Sequence, residues 1–208
     1  MTNDSADLKL ASLLASRLCH DLVGPLGAVD NGLELMAENG EMAGEAMTLA
    51  QRSARRATGR LQLFRFAFGA AGGEDSFGPG EARALATDCL QTPQLEIDWP
   101  SAMELPSGAA RLLLNLLILG SECLPRGGRL AVSRSDGGLV IACEAPQARL
   151  LPELRAALEG NADPARLSPR TVVGHYAARL AQSLGWRVRA NDEAQGRLLL
   201  EAGPATPA

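Results

Sequence analysis

Apolar or small residues recur along the first third of the chain in alternating steps of three and four: Leu8, Ala11, Ala15, Leu18, Leu22, Pro25, Val29, Gly32 and Met36. This is the a/d spacing of a heptad repeat held over four heptads, and it predicts one long helix. Glu38-Asn39-Gly40-Glu41 interrupts the repeat with a turn signal. A second stripe then runs Ala43, Met47, Ala50, Ala54, Ala57, Leu61, Phe64 and Phe68. The two segments read as an antiparallel helical hairpin. Leu14, Leu26 and Leu33 widen the apolar face of the first helix beyond what one neighbouring helix can cover. The pattern therefore predicts a homodimer in which two hairpins form a four-helix bundle.

The glycine-rich stretch 69–80, GAAGGEDSFGPG, reads as a linker. It divides the chain into a helical unit at 1–72 and a mixed unit at 73–208. In the second unit Glu81–Leu90 reads as a helix and Leu95–Trp99 as a strand. Ser107 can cap a helix running to Leu124, and Arg129–Ser133 with Leu139–Cys143 form a hairpin across Asp136-Gly137-Gly138. Leu151–Leu158 and Ser168–Leu184 read as helices, and Trp186–Ala190 with Arg197–Glu201 as a last strand pair. The expected class is α+β: a helical hairpin followed by an α/β sandwich with its helices on one sheet face.

Composition narrows the chemistry. The 208 residues are 46% hydrophobic and 21% charged, enough for a core, and their net charge of −4 argues against a nucleic-acid partner. Lys9, the only lysine, precedes every candidate loop, which excludes a Walker A lysine and a kinase-type ATP lysine. Two distant histidines, His20 and His175, with no close cysteine pair leave no metal site written in the sequence. Cys19, Cys89, Cys123 and Cys143 stand among aliphatic residues and are expected as reduced core thiols. Met1–Asp7 has no basic stretch before an apolar one, and no run approaches the ~20 apolar residues of a membrane span, so the expectation is a cytoplasmic protein without a membrane partner.

His20 carries the one constellation with chemical content. With Ala15 at a and Leu18 at d, it falls at f, the outermost position of the helix. Residues three, four and seven away share its face, and there Ser16, Gly24 and Gly27 are small, flanked by Arg17 and Val23. Each glycine costs roughly 1 kcal/mol of helix stability against alanine, and Pro25 removes the hydrogen bond to the Asp21 carbonyl. Three helix breakers after an exposed histidine clear space for a large partner and are expected to bend the helix. An exposed imidazole is mostly neutral near pH 7, which leaves one ring nitrogen free as a nucleophile. Asp21 can hold the other N–H, although adjacent helical residues point about 100° apart. His175, beside Tyr176, is assigned to structure.

The run from Ser16 to Leu35, SRLCHDLVGPLGAVDNGLEL, resembles the phosphoacceptor box of histidine-kinase dimerisation domains and, more closely, the ChpT family of bacterial histidine phosphotransferases. The resemblance rests on His-Asp-Leu-x-x-Pro followed by Asn-Gly-Leu-Glu-Leu and extends over nearly the whole chain. It implies that His20 is phosphorylated, that Asp21 assists and that the hairpin dimerises. It also implies a second unit with the histidine-kinase ATP-binding (Bergerat) fold. The donor it implies is the receiver domain of a hybrid kinase like CckA, and the recipients are response regulators like CtrA and CpdR. Receiver docking is expected around Leu14, Ser16, Arg17, Val23, Gly24 and Gly27 on the first helix. Arg52, Arg56 and Arg60 are expected to contribute from the second; a solvated bundle face is the plainer reading of that stripe.

Departures from the kinase pattern bear on nucleotide binding. Asn115 matches the first asparagine of the kinase Asn-Leu-x-x-Asn-Ala helix, but Leu119 stands where the Mg²⁺-coordinating asparagine belongs, and leucine offers a hard cation no oxygen. Glu144-Ala-Pro-Gln-Ala148 replaces Asp-x-Gly-x-Gly, and Leu167–His175 replaces the glycine-rich phosphate loop. The expectation is a fold kept without ATP, with no cofactor of its own and with Mg²⁺ supplied by the partner receiver. Gly24 stands where kinases with phosphatase activity carry Thr or Asn, so phosphatase activity is expected to be weak. An atypical active kinase and a non-catalytic adaptor that sequesters response regulators are the alternatives. Light scattering at micromolar concentration should return twice the 21.8 kDa chain mass; a monomer mass would remove the four-helix bundle.

Overall fold

The computed structural model of the chain describes residues 3–38, 42–69, 78–106, 108–135 and 137–205. Helices α1 (Asn3–Glu38) and α2 (Ala43–Phe68) pack along each other as a hairpin. Their close approach is set by small residues: a Cβ at Gly32 would lie 2.9 Å from the Ala46 carbonyl oxygen and 3.0 Å from the Ala50 Cβ. The Asn39-Gly40 turn, the linker over 70–77, the Ser107 cap and Asp136 lie outside the described residues.

The phase of α2 differs from the one its apolar spacing predicts. Its buried face runs Ala46, Ala50, Ser53, Ala57 and Phe64, whereas Met47, Ala54 and Leu61 of the predicted stripe are exposed. Small side chains let the two helices approach closely, so alanines and a serine take the inner face and bulkier residues stay outside. Every exposed large hydrophobic side chain among the described residues lies on or beside the hairpin, between Leu8 and Leu61. An unpartnered apolar surface of this kind marks an interaction site. Pro25 does not end α1, which runs unbroken through it.

The remainder is mixed, in the α+β class expected. In chain order it comprises α3 (Pro79–Leu90), β1 (Leu95–Asp98), α4 (Ala109–Cys123), β2 (Gly128–Ser135), β3 (Gly138–Glu144), α5 (Pro152–Leu158), α6 (Val172–Ser183), β4 (Trp186–Glu193) and β5 (Arg197–Pro204). The five strands lie in the order β1-β2-β3-β5-β4, with β1 parallel to β2 and the other pairs antiparallel. Alternation along the strands buries Leu130, Val132, Leu139, Ile141, Val188, Ala190, Leu198 and Leu200. The opposite parity carries a charge ladder across all five strands: Asp98, Arg129, Glu144, Arg197 and Glu193 pair in sequence. Charges on the open face keep it wetted, so the helices gather on the other.

Helix α4 sits at the centre. Twelve of its fifteen residues are buried, and it packs against β2, β3, α2, α3 and α6. A helix that is apolar over most of its circumference needs neighbours on most of its sides. Gly108, in the left-handed region at φ 75°, precedes its first turn. From α2, Leu63 and Ala67 enter the same core cluster, and from α1, Leu10, Leu13 and Leu14 pack against it. The units expected at 1–72 and 73–208 thus share one hydrophobic core.

One polar group joins them inside it. Asn115, fully buried, donates from Nδ2 to the Ala67 carbonyl in the last turn of α2 and to the Arg111 carbonyl, each at 2.9 Å. Carbonyls at a helix C-terminus have no intrahelical partner, so this bond supplies one. Asn115→Ala should therefore destabilise the chain by about 1–3 kcal/mol in urea unfolding, the cost of an unpaired buried carbonyl.

Candidate functional site

One turn of α1 brings together a histidine, a carboxylate and an arginine, and α2 adds a second arginine. The His20 side chain is 83% exposed, while Asp21 beside it is only 9% exposed. His20 Nδ1 lies 3.1 Å from Asp21 Oδ1. An ionised carboxylate only accepts, so Nδ1 carries the proton and Nε2 is the free nitrogen. The second Asp21 oxygen accepts from Arg17 Nε at 2.9 Å, one helical turn back, and Arg60 of α2 approaches it at 3.4 Å. The sequence allows this because α2 turns Ser53, Arg56 and Arg60 toward the same side at steps of three and four.

Between the helices lies a cleft of about 360 Å³ lined by His20, Asp21, Gly24, Pro25, Ala28, Ser53, Arg56 and Arg60. Its floor is small-residued, its rim carries two guanidinium groups, and an unhindered imidazole stands at its edge. Such a cleft can hold an anionic group against a nitrogen nucleophile. Gly24 leaves it open, since a Cβ there would meet no atom within 4 Å. Among the described residues no cluster of three or more His, Cys, Asp or Glu could hold a metal ion.

The structure gathers some of the sequence-selected residues and separates others. His20, Asp21, Gly24, Arg56 and Arg60 share the cleft. Ser16, Val23 and Arg52 are exposed outside its lining, and Gly27 is half-buried. Two expected docking residues are engaged elsewhere. Leu14 packs against the common core, because the face of α1 that holds Leu10, Leu13 and Leu14 is covered by the second unit. Arg17, 14% exposed, is pinned between Asp21 and Glu122 of α4, with its Nη2 2.5 Å from Glu122 Oε1.

Burial alone would lower the Arg17 guanidinium, but Glu122 and Asp21 reverse that and raise it, holding the positive charge firmly. Burial raises the Glu122 carboxyl above the usual carboxylate range, and Arg17 offsets this only in part. His175 is lowered by burial and by Arg179, and its Nδ1 is buried without a partner.

Residues that the sequence did not single out include Ala28, Ser53 and Glu122. Ser53 had a faint signal, a polar residue within the alanine face of α2. Glu122 had only its charge at the end of an apolar helix, since its partner lies 105 residues away. In the second unit Leu119, which the resemblance sets at the position of the kinase metal-binding asparagine, is fully buried, and Asn115 is fully buried with its Nδ2 on the Ala67 and Arg111 carbonyls. No helix among the described residues is long and apolar enough to cross a membrane.

Comparison with known proteins places the chain among histidine phosphotransferases. A family model described as histidine phosphotransferase C-terminal domain matches residues 79–196. Protein phosphotransferase ChpT of Brucella abortus (strain 2308) is 38% identical over 187 residues, which cover 87% of this chain and 89% of that protein. A bacterial phosphotransferase of solved structure superposes with a TM-score of 0.80 at 36% identity, covering 94% of this chain and 96% of that one. The histidine kinase domain of the Erythrobacter litoralis EL346 blue-light activated histidine kinase aligns with a TM-score of 0.44 at 17% identity, over 91% and 95% of the two chains.

The four thiols divide differently from the uniform core placement expected. Cys123 and Cys143 are buried, Cys89 is half-buried and donates to the Gly59 carbonyl, and Cys19 is exposed next to His20. Aliphatic neighbours in sequence misplace Cys19 because it points about 100° away from Leu18. Burial, with Asp88, pushes Cys89 up to about 11. At pH 8 a thiol reagent should therefore report one fast group, lost in Cys19→Ser, with Cys89 slow.

Proposed function

The chain belongs to the histidine phosphotransferase family, and on that premise we propose that it relays phosphoryl groups between receiver domains through His20, without using ATP. The observation that carries this reading is an exposed imidazole whose Nδ1 faces a buried carboxylate, beside a cleft rimmed by two arginines. Nε2 of the neutral ring attacks the phosphorus of a receiver's aspartyl phosphate. The N–P bond forms as the P–O bond breaks, and the departing carboxylate takes the electron pair. The ring keeps its Nδ1 proton, and the positive charge that develops is stabilised by Asp21. Return to a second receiver runs the same steps backward. Arg56 and Arg60 neutralise phosphoryl oxygens during the transfer, which is governed by positioning and electrostatics. Mg²⁺ brought by the receiver supplies further charge neutralisation.

Two features support the absence of autokinase activity: Leu119 is buried and apolar, and Asn115 is fully buried, away from any bound nucleotide. The apolar surface of the hairpin fits a second copy of this chain, which would place two His20 sites on one dimer. We assign 1–72 to phosphotransfer and dimerisation and 73–208 to the degenerate ATPase-like unit. The proposed partners are the receiver of a CckA-like hybrid kinase and CtrA-like and CpdR-like regulators. Incubation with a phosphorylated receiver should place an acid-labile, base-stable label on His20, whereas Mg-ATP should place none. His20→Ala should abolish the label, and Asp21→Asn should slow its acquisition by at least ~100-fold. A label acquired from ATP would instead establish an active kinase. Receiver binding without label would establish an adaptor.

A further inference from the structure

We propose that Glu122, in the last turn of α4, is a positioning residue for His20: through Arg17 it holds Asp21 in the rotamer that binds Nδ1 of the ring. The inference rests on the reading of His20 as the phosphoacceptor, and it gives the second unit a part in the reaction that requires no nucleotide.

Helix geometry does not itself supply the His20–Asp21 contact, because adjacent residues point about 100° apart. Asp21 must be turned toward the ring and kept there. Its Oδ2 is taken by Arg17 Nε at 2.9 Å, which leaves Oδ1 for Nδ1 at 3.1 Å. Arg17 alone is a poor anchor, since an arginine with one partner a turn away on a helix keeps much of its rotamer freedom. Here its guanidinium fork is gripped at two points, Nε by Asp21 and Nη2 by Glu122 Oε1 at 2.5 Å. Two contacts on a rigid planar group fix its orientation as one cannot. Glu122 is backed in turn by the most enclosed helix of the molecule, with Arg170 near enough to act on its charge. The line Glu122–Arg17–Asp21–His20 thus runs from the common core to the exposed ring.

Arg60 is the competing support, because it reaches the same Asp21 oxygen from α2. Its separation is longer, 3.4 Å, and its side chain is far more exposed than that of Arg17, 39% against 14%. Glu122 and Arg17 therefore set the rotamer, and Arg60 serves the cleft.

The test is ¹⁵N NMR of the full chain with labelled histidine at pH 8; with two histidines, one His175 substitution assigns both rings. The wild type should show His20 protonated mainly at Nδ1. Glu122→Gln, which keeps the shape and removes the charge, should shift the ring toward the Nε2-protonated form. It should also slow phosphoryl transfer from a receiver about 10- to 100-fold, the scale expected when a reacting group is misplaced by about 1 Å. In an Asp21→Asn background the same substitution should add less than twofold. Arg17→Gln should reproduce the tautomer shift, which keeps the test open if Glu122→Gln fails to fold. An unchanged tautomer in a folded Glu122→Gln or Arg17→Gln protein would overturn the inference. So would equal slowing in both backgrounds, or a tautomer shift produced by Arg60→Gln and not by Glu122→Gln. Because the tautomer is read without phosphate, a failure of His20 to take label would refute the relay and leave this result standing.

Discussion

The burial of α4 over most of its surface is the constraint from which the arrangement of the molecule follows. With Leu112, Leu113, Leu114, Leu116, Leu117 and Leu119 all fully buried, no orientation of the helix can face water without loss. Each buried leucine is worth roughly 2 kcal/mol relative to exposure, so leaving one face bare would cost a large part of a typical domain's net stability. The sheet covers one side, α3 and α6 the flanks, and the end of α2 closes the rest. The hairpin is drawn onto the second unit by this requirement. Asn115, the one buried polar side chain in the helix, is tolerated because α2 brings it a carbonyl.

That packing changes the physics at the edge of the site. Ion pairs on an open helix surface contribute little, because water screens them and side-chain entropy opposes them. Arg17, Asp21 and Glu122 are instead partly shielded by the two units meeting around them. Charges in such a place interact strongly and are costly to leave single, so they stay in one arrangement more reliably than exposed pairs do. His20 is left outside the shielding. The ring is free to meet a partner while the groups behind it are not free to move.

Much of this was legible in the chain. Heptad phase sent His20 outward, and the seam of α1 placed Gly32 where the second helix approaches. The strands of the sheet followed from alternation and from turn residues. What failed did so for identifiable reasons. The stripe Ala43–Phe68 was read by apolarity, but close helix contact selects for small size, so Ala46 and Ser53 went inside and Met47 and Leu61 stayed out. Arg17 and Leu14 were expected at the receiver-docking face, and the covering of α1 by the second unit, a tertiary fact with no local pattern, engages both with the second unit. Glu122 was invisible for the same reason: its meaning comes from a partner 105 residues away. Periodicity reports which face is buried, not what buries it.

Gly24 and Gly27 touch nothing of this chain where a side chain would stand. Alanine at either position would favour the helix by up to about 1 kcal/mol, and Pro25 between them withholds a backbone bond from the Asp21 carbonyl. Intrinsic helix preference is therefore weak in the turn after His20. Local opening costs least where intrinsic preference and side-chain contacts are both weakest. The imidazole is held from behind by a shielded ionic lattice and bordered in front by backbone that yields. Such a mounting lets one ring keep its chemistry fixed while the surface around it adapts to partners of unequal shape.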